Sequence, residues 1–444
     1  MSGRLLKERL YNDPRTLNTA WDEVKRNARK LSKGVDDETL LEFSSNSQSR
    51  LRSIRILLRD DKFKFSKLRA STVFKRDGSP RPIQVAAIQD RVVLKGIELL
   101  IRGKLDERYN IFNNPVSFAY IKTEDIKDYD ALDPQTHKGV RGAVEKLRSY
   151  VGDGYTWCVK ADIVDFFPSI ERNKVLENYI FPALADKSLN KLIKAAFRVE
   201  VEISEDIRKM FGDKTDVKFE GSTGLPQGSV LSPLFSNVYL HSFDTAMSSS
   251  GYIVIRYVDD FIILCKSEQE AKTAYKLCRS ELSKLNLKIH NLNGKVEKTE
   301  IKRTDDITFL GIRLKDQKFY PGHDAFERYK EKLRIAPKYV SLAKNLQYLQ
   351  SLSQSWGSTY NFCSNEPGEY KELNRALEEA IKRSLYKSRL KSFFGYNSRQ
   401  LRRLGIRRFD DSVALSQQRK KIADKAAKAK KNALSSKKVQ KSSP

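Results

Sequence analysis

Two adjacent carboxylates, Asp259 and Asp260, lie between two apolar runs. Ile253, Ile255 and Tyr257 alternate with Tyr252, Val254 and Arg256, which is the two-residue period of a strand. Phe261 to Leu264 is a second short apolar run. The pattern predicts strand, tight turn, strand, with the aspartates at the turn. Asp is a poor strand former, and neighbouring like charges repel. Oxygen ligands in that situation are ordinarily neutralised by a divalent cation. A plain hairpin turn, where Asp is common, accounts for this stretch as well.

A third carboxylate narrows the choice. Asp162 ends the run Thr156-Trp-Cys-Val-Lys-Ala-Asp162, about a hundred residues upstream. All three acids end apolar β runs, so a single sheet can bring them together. Three carboxylates at one point call for cations. Two Mg²⁺ ions there would activate a hydroxyl and stabilise a leaving phosphate oxygen, with substrate phosphates completing the coordination. That is the chemistry of nucleotidyl transfer.

The surrounding elements must position these acids. Thr156–Ile170 reads as a strand leading into a helix, with Asp165 in the turn, where it caps that helix or meets a triphosphate through its backbone rather than binding metal. Gly221-Ser-Thr-Gly-Leu-Pro-Gln-Gly-Ser-Val-Leu-Ser232 is a Gly-rich loop opening a helix over Pro233–Met247. Residues 72–85 form a hairpin turning at Asp77-Gly78, with Lys75, Arg76 and Arg81 beside the turn. A helix follows from Ala86 to about Leu105, and another over Gly142–Tyr150. Residues 110–140 are irregular, and 200–220 read as a polar insertion. Residues 268–287 form an amphipathic helix, and Thr308–Leu314 is strand material. Residues 1–70 are basic and helical, with Trp21, Val24, Ala28 and Leu31 on one face and Leu51, Ile54, Leu57 and Leu58 on another. The loop Ser32–Thr39 between them is rich in turn and cap residues. From Asp324 to about Leu390 the chain is helical and basic. Gln417–Pro444 reads as a solvated arm, disordered or helical only on binding.

Composition sets the partner class. There are 84 Lys and Arg against 56 Asp and Glu, a net charge of +28. Such an excess points to a polyanion, most simply nucleic acid. The four cysteines, Cys158, Cys265, Cys278 and Cys363, are scattered, which argues against zinc and disulfides and for reduced thiols in the cytoplasm. The N-terminus lacks an apolar signal core, and no run is long enough to span a membrane.

With the carboxylates stand further motifs. Tyr257-Val-Asp-Asp260 resembles the YxDD box of reverse transcriptases. Lys160-Ala-Asp-Ile-Val-Asp-Phe-Phe167 is similar to their first palm motif, and Gly224–Pro233 with Asn237-Val-Tyr-Leu240 to the next. Lys298-Thr299 and Phe309-Leu-Gly311 match the two that follow, and Asp77-Gly78, Arg81-Pro82-Ile83 and Asp90-Arg91 resemble the fingers motif. The boxes run in family order over residues 72–314.

The resemblance implies an α/β (α+β) right-hand polymerase, with fingers and palm around an antiparallel sheet and a helical thumb. The corresponding division is a basic extension over 1–70, fingers 71–160, palm 161–322, thumb 323–400 and a basic tail 401–444. It implies RNA-directed DNA synthesis with two Mg²⁺ ions, for which Mn²⁺ can substitute, held by Asp162, Asp259, Asp260 and the backbone carbonyl of Ile163. Phe167 falls where the family places an aromatic wall against a ribose 2′ hydroxyl; an ordinary core Phe is the alternative. Arg81 and Lys75 would reach the triphosphate, against the alternative of a solvated basic hairpin, and Gln227 and Gly228 would pass under the nascent base pair, against that of a plain turn. Lys298 would protonate the departing pyrophosphate, against the alternative of an exposed surface Lys. Tyr257 would pack beside the primer end, with Phe309–Gly311 placing the primer backbone.

The departures select a branch. No zinc-finger endonuclease follows, and no RNase H or integrase carboxylate set is present. The Val-Thr-Gly triplet and Asn-Ala-x-x-His element of retron enzymes are absent. The resemblance is therefore to stand-alone, defence-associated reverse transcriptases of bacteria. It implies a noncoding RNA template, a DNA or protein primer, dNTPs, and a second copy or an accessory defence protein as further partners. Retron-type and group II intron-like enzymes are the alternatives within the family. Outside catalysis, the alternative is a polymerase-derived RNA-binding protein.

Overall fold

The computed structural model describes residues 5–27, 33–74, 79–126, 130, 133, 136–212, 223–292, 298–336, 341–364, 367–387, 399 and 406–440. Two compact units are formed, one from Met1–Lys127 with Trp157–Lys302, the other from Asp128–Thr156 with Arg303–Pro444.

The first unit is built around the helix Ile88–Tyr109. Its apolar residues Ile88, Val92, Val93, Ile97, Ile101 and Leu105 are fully buried. The helix runs past the expected end at Leu105 and stops where Asn110 takes a left-handed conformation, φ 46°. Leu10, Leu17 and Trp21, from the helices Leu6–Asn12 and Pro14–Asn27, belong to the same core. So do Leu51, Ile54 and Leu58 from the helix Ser47–Arg59. Ala28 and Leu31 lie outside the described residues. Thr39 closes the loop before the helix Leu40–Ser45 with a capping box to Glu42. Asp90, in the first turn of the central helix, is almost wholly buried. One of its oxygens accepts from the Ser66 amide at 2.9 Å, and the other has no hydrogen-bond partner. Burial pushes this carboxyl up to about 7, against the lowering effect of the Ser66 bond.

The strands of this unit are β1 (Leu68–Phe74), β2 (Pro80–Val85), β3 (Trp157–Asp162), β4 (Val201–Glu202), β5 (Ile253–Tyr257), β6 (Asp260–Cys265) and β7 (Glu300–Arg303). They form two sheets, ordered β2-β1-β4 and β5-β6-β3-β7. The expected turn at Asp77-Gly78 lies outside the described residues. The expected polar insertion at 200–220 is corrected over its first half. Val201 pairs in parallel with Leu68, and the helix Glu205–Phe211 follows. Val201, Ile207 and Phe211 form a small core with Leu68, Ala70 and Ala86. These three apolar residues among many charges were enough to dock the segment, although they show no periodicity.

In the second sheet β6 lies between β5 and β3, antiparallel to both, and is buried from Phe261 to Cys265. The helix Glu268–Lys284 packs across β3 and β6 with Ala271, Ala274, Cys278 and Leu282 buried. Burial pushes the thiols of Cys158 on β3, and of Cys265 and Cys278, up to about 12. The helix expected over Pro233–Met247 is two helices, Ser232–Tyr239 and His241–Ser249, meeting at Leu240. The loop before them is fastened to β2, because the Gln84 amide donates to the Gln227 carbonyl at 2.7 Å. Gly228 has φ 121°, and a Cβ there would come 2.4 Å from the Gln84 carbonyl oxygen. Only glycine allows so close an approach.

The second unit pairs β8 (Asp306–Phe309), β9 (Ile312–Lys315) and β10 (Lys318–Pro321) as an antiparallel meander. The strand expected over Thr308–Leu314 is broken by a tight turn at Leu310 and Gly311, both with positive φ. The Arg148 guanidinium, on the helix Gly139–Gly152, lies 4.8 Å from the centre of the Phe319 ring. The helices His323–Arg334, Leu342–Thr359, Pro367–Lys387 and Phe409–Gln440 follow. Trp356 is fully buried, with Phe326, Tyr329 and Tyr360 rings within 4.8 Å of its own. The expected arm from Gln417 is corrected for residues 417–440, which continue the helix begun at Phe409. That helix is anchored by buried Phe409 and Val413, and its Ala, Lys and Gln are strong helix formers. Among the described residues no helix is long and apolar enough to cross a membrane.

Two expectations follow for stability. An acid whose pKa is raised on folding contributes stability below its ordinary value and loses it as pH rises through the raised one. The melting temperature of the wild type relative to Asp90→Asn should therefore fall between about pH 4 and about pH 7. A pH-independent difference would show that Asp90 is ionised in the folded chain. Gly228→Ala should cost roughly 2–4 kcal/mol in denaturant melts. Gly103→Ala, inside the central helix with nothing within 4 Å of the added carbon, should instead add roughly 0.5–1 kcal/mol. Equal stability of Gly228→Ala and wild type would mean that the loop is not held against β2.

Candidate active site

The strand pairing gathers the acids. Asp162, the last residue of β3, stands directly opposite Asp260, the first residue of β6. Tyr257 stands opposite Asp260 on the other side, so Val258 and Asp259 alone make the turn between β5 and β6. Val258 has φ 64°, a left-handed conformation that a β-branched residue strongly resists. The Ile163 amide donates to the Asp259 carbonyl at 3.2 Å, fastening the turn to the end of β3. Side chains directly opposite across an antiparallel pair share a face, where like charges are destabilising.

A cation answers that repulsion. Lys298 Nζ donates to Asp162 Oδ2 at 2.6 Å, and His290 Nε2 lies 3.7 Å from the same oxygen. Burial works against the Lys298 charge, but the bond to Asp162 and the carboxylates of Asp259 and Asp260 prevail, raising its pKa. Burial raises the carboxyl of Asp259, and the charge of Asp162 adds to the rise. Arg81 and Lys298 pull in the other direction. Arg81, exposed on β2, is therefore within electrostatic reach of Asp259.

Among the described residues no three His, Cys, Asp or Glu side chains stand grouped as a finished metal cage. The Asp162 carboxylate is engaged by the Lys298 ammonium. The donor set nevertheless suits a hard divalent ion, since Asp oxygens from one sheet end are its ordinary ligands. Asp162, Asp259 and Asp260 would hold it.

Phe167, Gln227 and Gly228 belong to the same unit as these acids. Phe166 is buried, whereas Phe167 is only partly covered, its ring 5.3 Å from that of Phe166. The Phe167 carbonyl accepts from the Leu225 amide at 2.9 Å, tying its short helix, Phe166–Ser169, to the Gly-rich loop that carries Gln227 and Gly228. Asp165 does not cap that helix through its side chain; it takes a left-handed conformation, φ 43°, and turns the chain instead. Ile163 is buried and bridges to Ile289. Tyr257 is half-buried, and burial raises its phenol. Lys75 lies outside the described residues. Phe309, Leu310 and Gly311 belong to the second unit, at the turn between β8 and β9.

Three features escaped sequence reasoning. His290 faces Asp162 from a segment with no pattern of its own. Tyr120, in the stretch read as irregular, is half-exposed with φ 62°. Desolvation, then the Asp259 charge, pushes its phenol up to about 12. Arg256 and Asp244 form a fully buried ion pair behind the turn. The alternation in β5 hid Arg256, because Val254, Ile255 and Arg256 are all buried and both faces of the strand are covered.

The chain shares 25% identity over 241 residues with the COX1/OXI3 intron 2 protein of Saccharomyces cerevisiae, covering 54% of this chain and 24% of the relative. It is 24% identical over 226 residues to a 91 kDa protein in a cob intron of Schizosaccharomyces pombe, covering 51% and 24%. The chain thus spans about a quarter of the length of these two relatives. YkfC of Escherichia coli is 22% identical over 310 residues, covering 60% of this chain and 72% of its own. Among solved structures, telomerase from Candida albicans in complex with a fragment of telomeric RNA aligns with a TM-score of 0.48 and 11% identity, over 86% of this chain and 64% of its own. A Cas6-RT-Cas1–Cas2 complex aligns with a TM-score of 0.35 and 19% identity, over 63% and 43%. The profile of the family described as "Reverse transcriptase (RNA-dependent DNA polymerase)" matches residues 73–314, more than half of the chain and the span that holds all three aspartates. The chain belongs to the reverse transcriptase family, and its mixed α/β architecture is that of a right-hand polymerase.

Proposed function

We propose that this chain is an RNA-directed DNA polymerase working by two-cation nucleotidyl transfer. The observation that carries the reading is the register of β3 and β6, which sets Asp162 opposite Asp260 with Asp259 in the adjoining turn. In the reaction the primer hydroxyl attacks the α-phosphorus of a dNTP, its proton leaves, and pyrophosphate departs. Divalent ions held by the three carboxylates and the Ile163 carbonyl would activate that hydroxyl and neutralise charge on the phosphates.

The chain's own residues take the remaining tasks. Arg81 grips triphosphate oxygens with its planar guanidinium, helped by Lys75. Gln227 and Gly228 lie under the new base pair on a loop already braced by β2. Phe167 presents a half-covered ring that overlaps a 2′ hydroxyl and so favours deoxynucleotides. Lys298 holds Asp162 in place before substrate arrives and supplies a proton to the departing pyrophosphate. Of the proposed divisions, 71–160 and 161–322 supply these groups, and the net charge of +28 supports a long polyanionic template.

Within this reading the template is a noncoding RNA and the setting bacterial antiphage defence. The missing retron elements support that choice. Sequencing the nucleic acid that copurifies with the chain should yield one dominant RNA and its complementary DNA. A broad sample of host transcripts would overturn the template assignment.

Asp259→Asn combined with Asp260→Asn should abolish primer extension while RNA binding persists, a loss worth several kcal/mol at the transition state. Undiminished dNTP incorporation by the folded double variant would remove both residues from the chemistry. If the wild type extends no primer with Mg²⁺ or Mn²⁺, the chain is an RNA-binding relative that does not catalyse. Phe167→Ala should raise the ratio of rNTP to dNTP incorporation by at least about tenfold, at some cost in rate. An unchanged ratio would return Phe167 to the role of a core ring.

A further inference from the structure

Behind the turn that carries Asp259 lies a polar network deep inside an otherwise apolar core. Arg256 is fully buried and Asp244 nearly so. Arg256 Nε donates to Asp244 Oδ1 at 2.8 Å and Nη2 to Oδ2 at 2.6 Å, a two-pronged fork. Nη1 donates to Asn237 Oδ1 and to the Val258 carbonyl, both at 3.2 Å. Asn114 Nδ2 donates to Asp244 Oδ2 at 2.9 Å, Ser117 Oγ to Asn237 Oδ1 at 3.1 Å, and Asn237 Nδ2 to the Ala119 carbonyl at 3.0 Å. The backbone joins in, with the Arg256 amide donating to the Val116 carbonyl and the Phe118 amide to the Arg256 carbonyl.

Stability alone does not account for this arrangement. Two apolar side chains of similar volume commonly fill such a space at equal or lower free energy than a buried ion pair. What they lack is a donor for the Val258 carbonyl. That carbonyl and the Asp259 amide belong to one planar peptide. Fixing the oxygen therefore fixes the plane from which Asp259 leaves. The plane needs fixing, because Val258 at φ 64° occupies the left-handed region, which a β-branched residue strongly resists.

We propose that the buried Arg256–Asp244 pair is a positioning device. It locks the strained Val258–Asp259 peptide, and through Asn114 and Asn237 it fastens the segment 114–119 to the same turn. Arg256 touches no substrate; it acts through Asp259. The proposal rests on the reading of Asp259 as a ligand for the catalytic cation. One bonded group thus sets two things at once: the aim of Asp259, and the placement of the chain that leads to Tyr120.

The test uses the full chain and two variants. Arg256→Met with Asp244→Leu replaces the pair by apolar side chains. Arg256→Lys keeps a charge beside Asp244 but has no fork to reach the Val258 carbonyl as well. Three quantities are read: amide exchange by mass spectrometry, Mn²⁺ binding by electron paramagnetic resonance, and kcat and KM for dNTP in primer extension. In both variants exchange at residues 257–260 should rise at least about tenfold while the interior of β6 stays protected, and Mn²⁺ should bind about tenfold more weakly. The rate constant kcat should fall at least about tenfold, with KM for dNTP nearly unchanged. Wild-type exchange, Mn²⁺ affinity and kcat in a folded variant would overturn the proposal, and Arg256→Lys decides it if the apolar pair fails to fold. Faster exchange in the variants of a protein whose wild type neither binds Mn²⁺ nor extends a primer would overturn the polymerase reading and leave the clamp standing.

Discussion

Like charges at the end of β3 and β6 are the constraint on which the first unit depends. Asp162 and Asp260 face each other in register, and Asp259 follows in a turn that its own backbone resists. Nothing in the two strands favours that arrangement. It persists because β6 is buried on both faces and hydrogen-bonded along both edges, to β5 and to β3, so Phe261 to Cys265 are held by packing above and below and by two ladders at once. The hydrophobic sheet thus holds in place an electrostatic arrangement that would otherwise spread apart. Lys298 in front and Arg256 behind reduce the cost, one as a counter-charge and one as a backbone donor.

The parts legible in the sequence are those in which apolar periodicity and chemistry coincide. Asp162, Asp259 and Asp260 end strands that alternation predicts, and pairing then leaves little choice about where they meet. Phe166 and Phe167 divide into a buried and a half-covered ring, a difference that two adjacent Phe residues do not reveal by themselves. Arg256 was illegible for the opposite reason. A charge in an alternating strand reads as a solvent-facing position, and only tertiary structure supplies the buried carboxylate that reverses this. The segment 200–211 has too short a strand for a period to show, and its pairing partner Leu68 lies more than a hundred residues away by roughly any count of loop length. Asp165 reads as a cap from its residue type, whereas its backbone conformation gives it a turn instead.

The charge distribution works at two scales. Over the whole chain the excess is +28, which attracts a polyanion from a distance and weakens with salt. At the end of the second sheet the charges are mixed, with Asp162, Asp259 and Asp260 beside Lys298 and Arg81. Arg81 is exposed on β2 and also acts on Asp259.

The pairing of β3 with β6 also has a consequence for synthesis on the ribosome. The two strands are separated by about a hundred residues, so their contact closes a long loop, and such contacts form late. Asp162 emerges early, next to a strand whose hydrogen-bonding edge has no partner until Cys265 has followed. During that interval β3 is an apolar strand with an open edge, the kind of surface that recruits chaperones or aggregates. The same delay keeps the carboxylates apart. Asp162, Asp259 and Asp260 cannot meet until the hairpin of β5 and β6 has been made, so the order of translation keeps the three acids apart until most of the first unit has been synthesised.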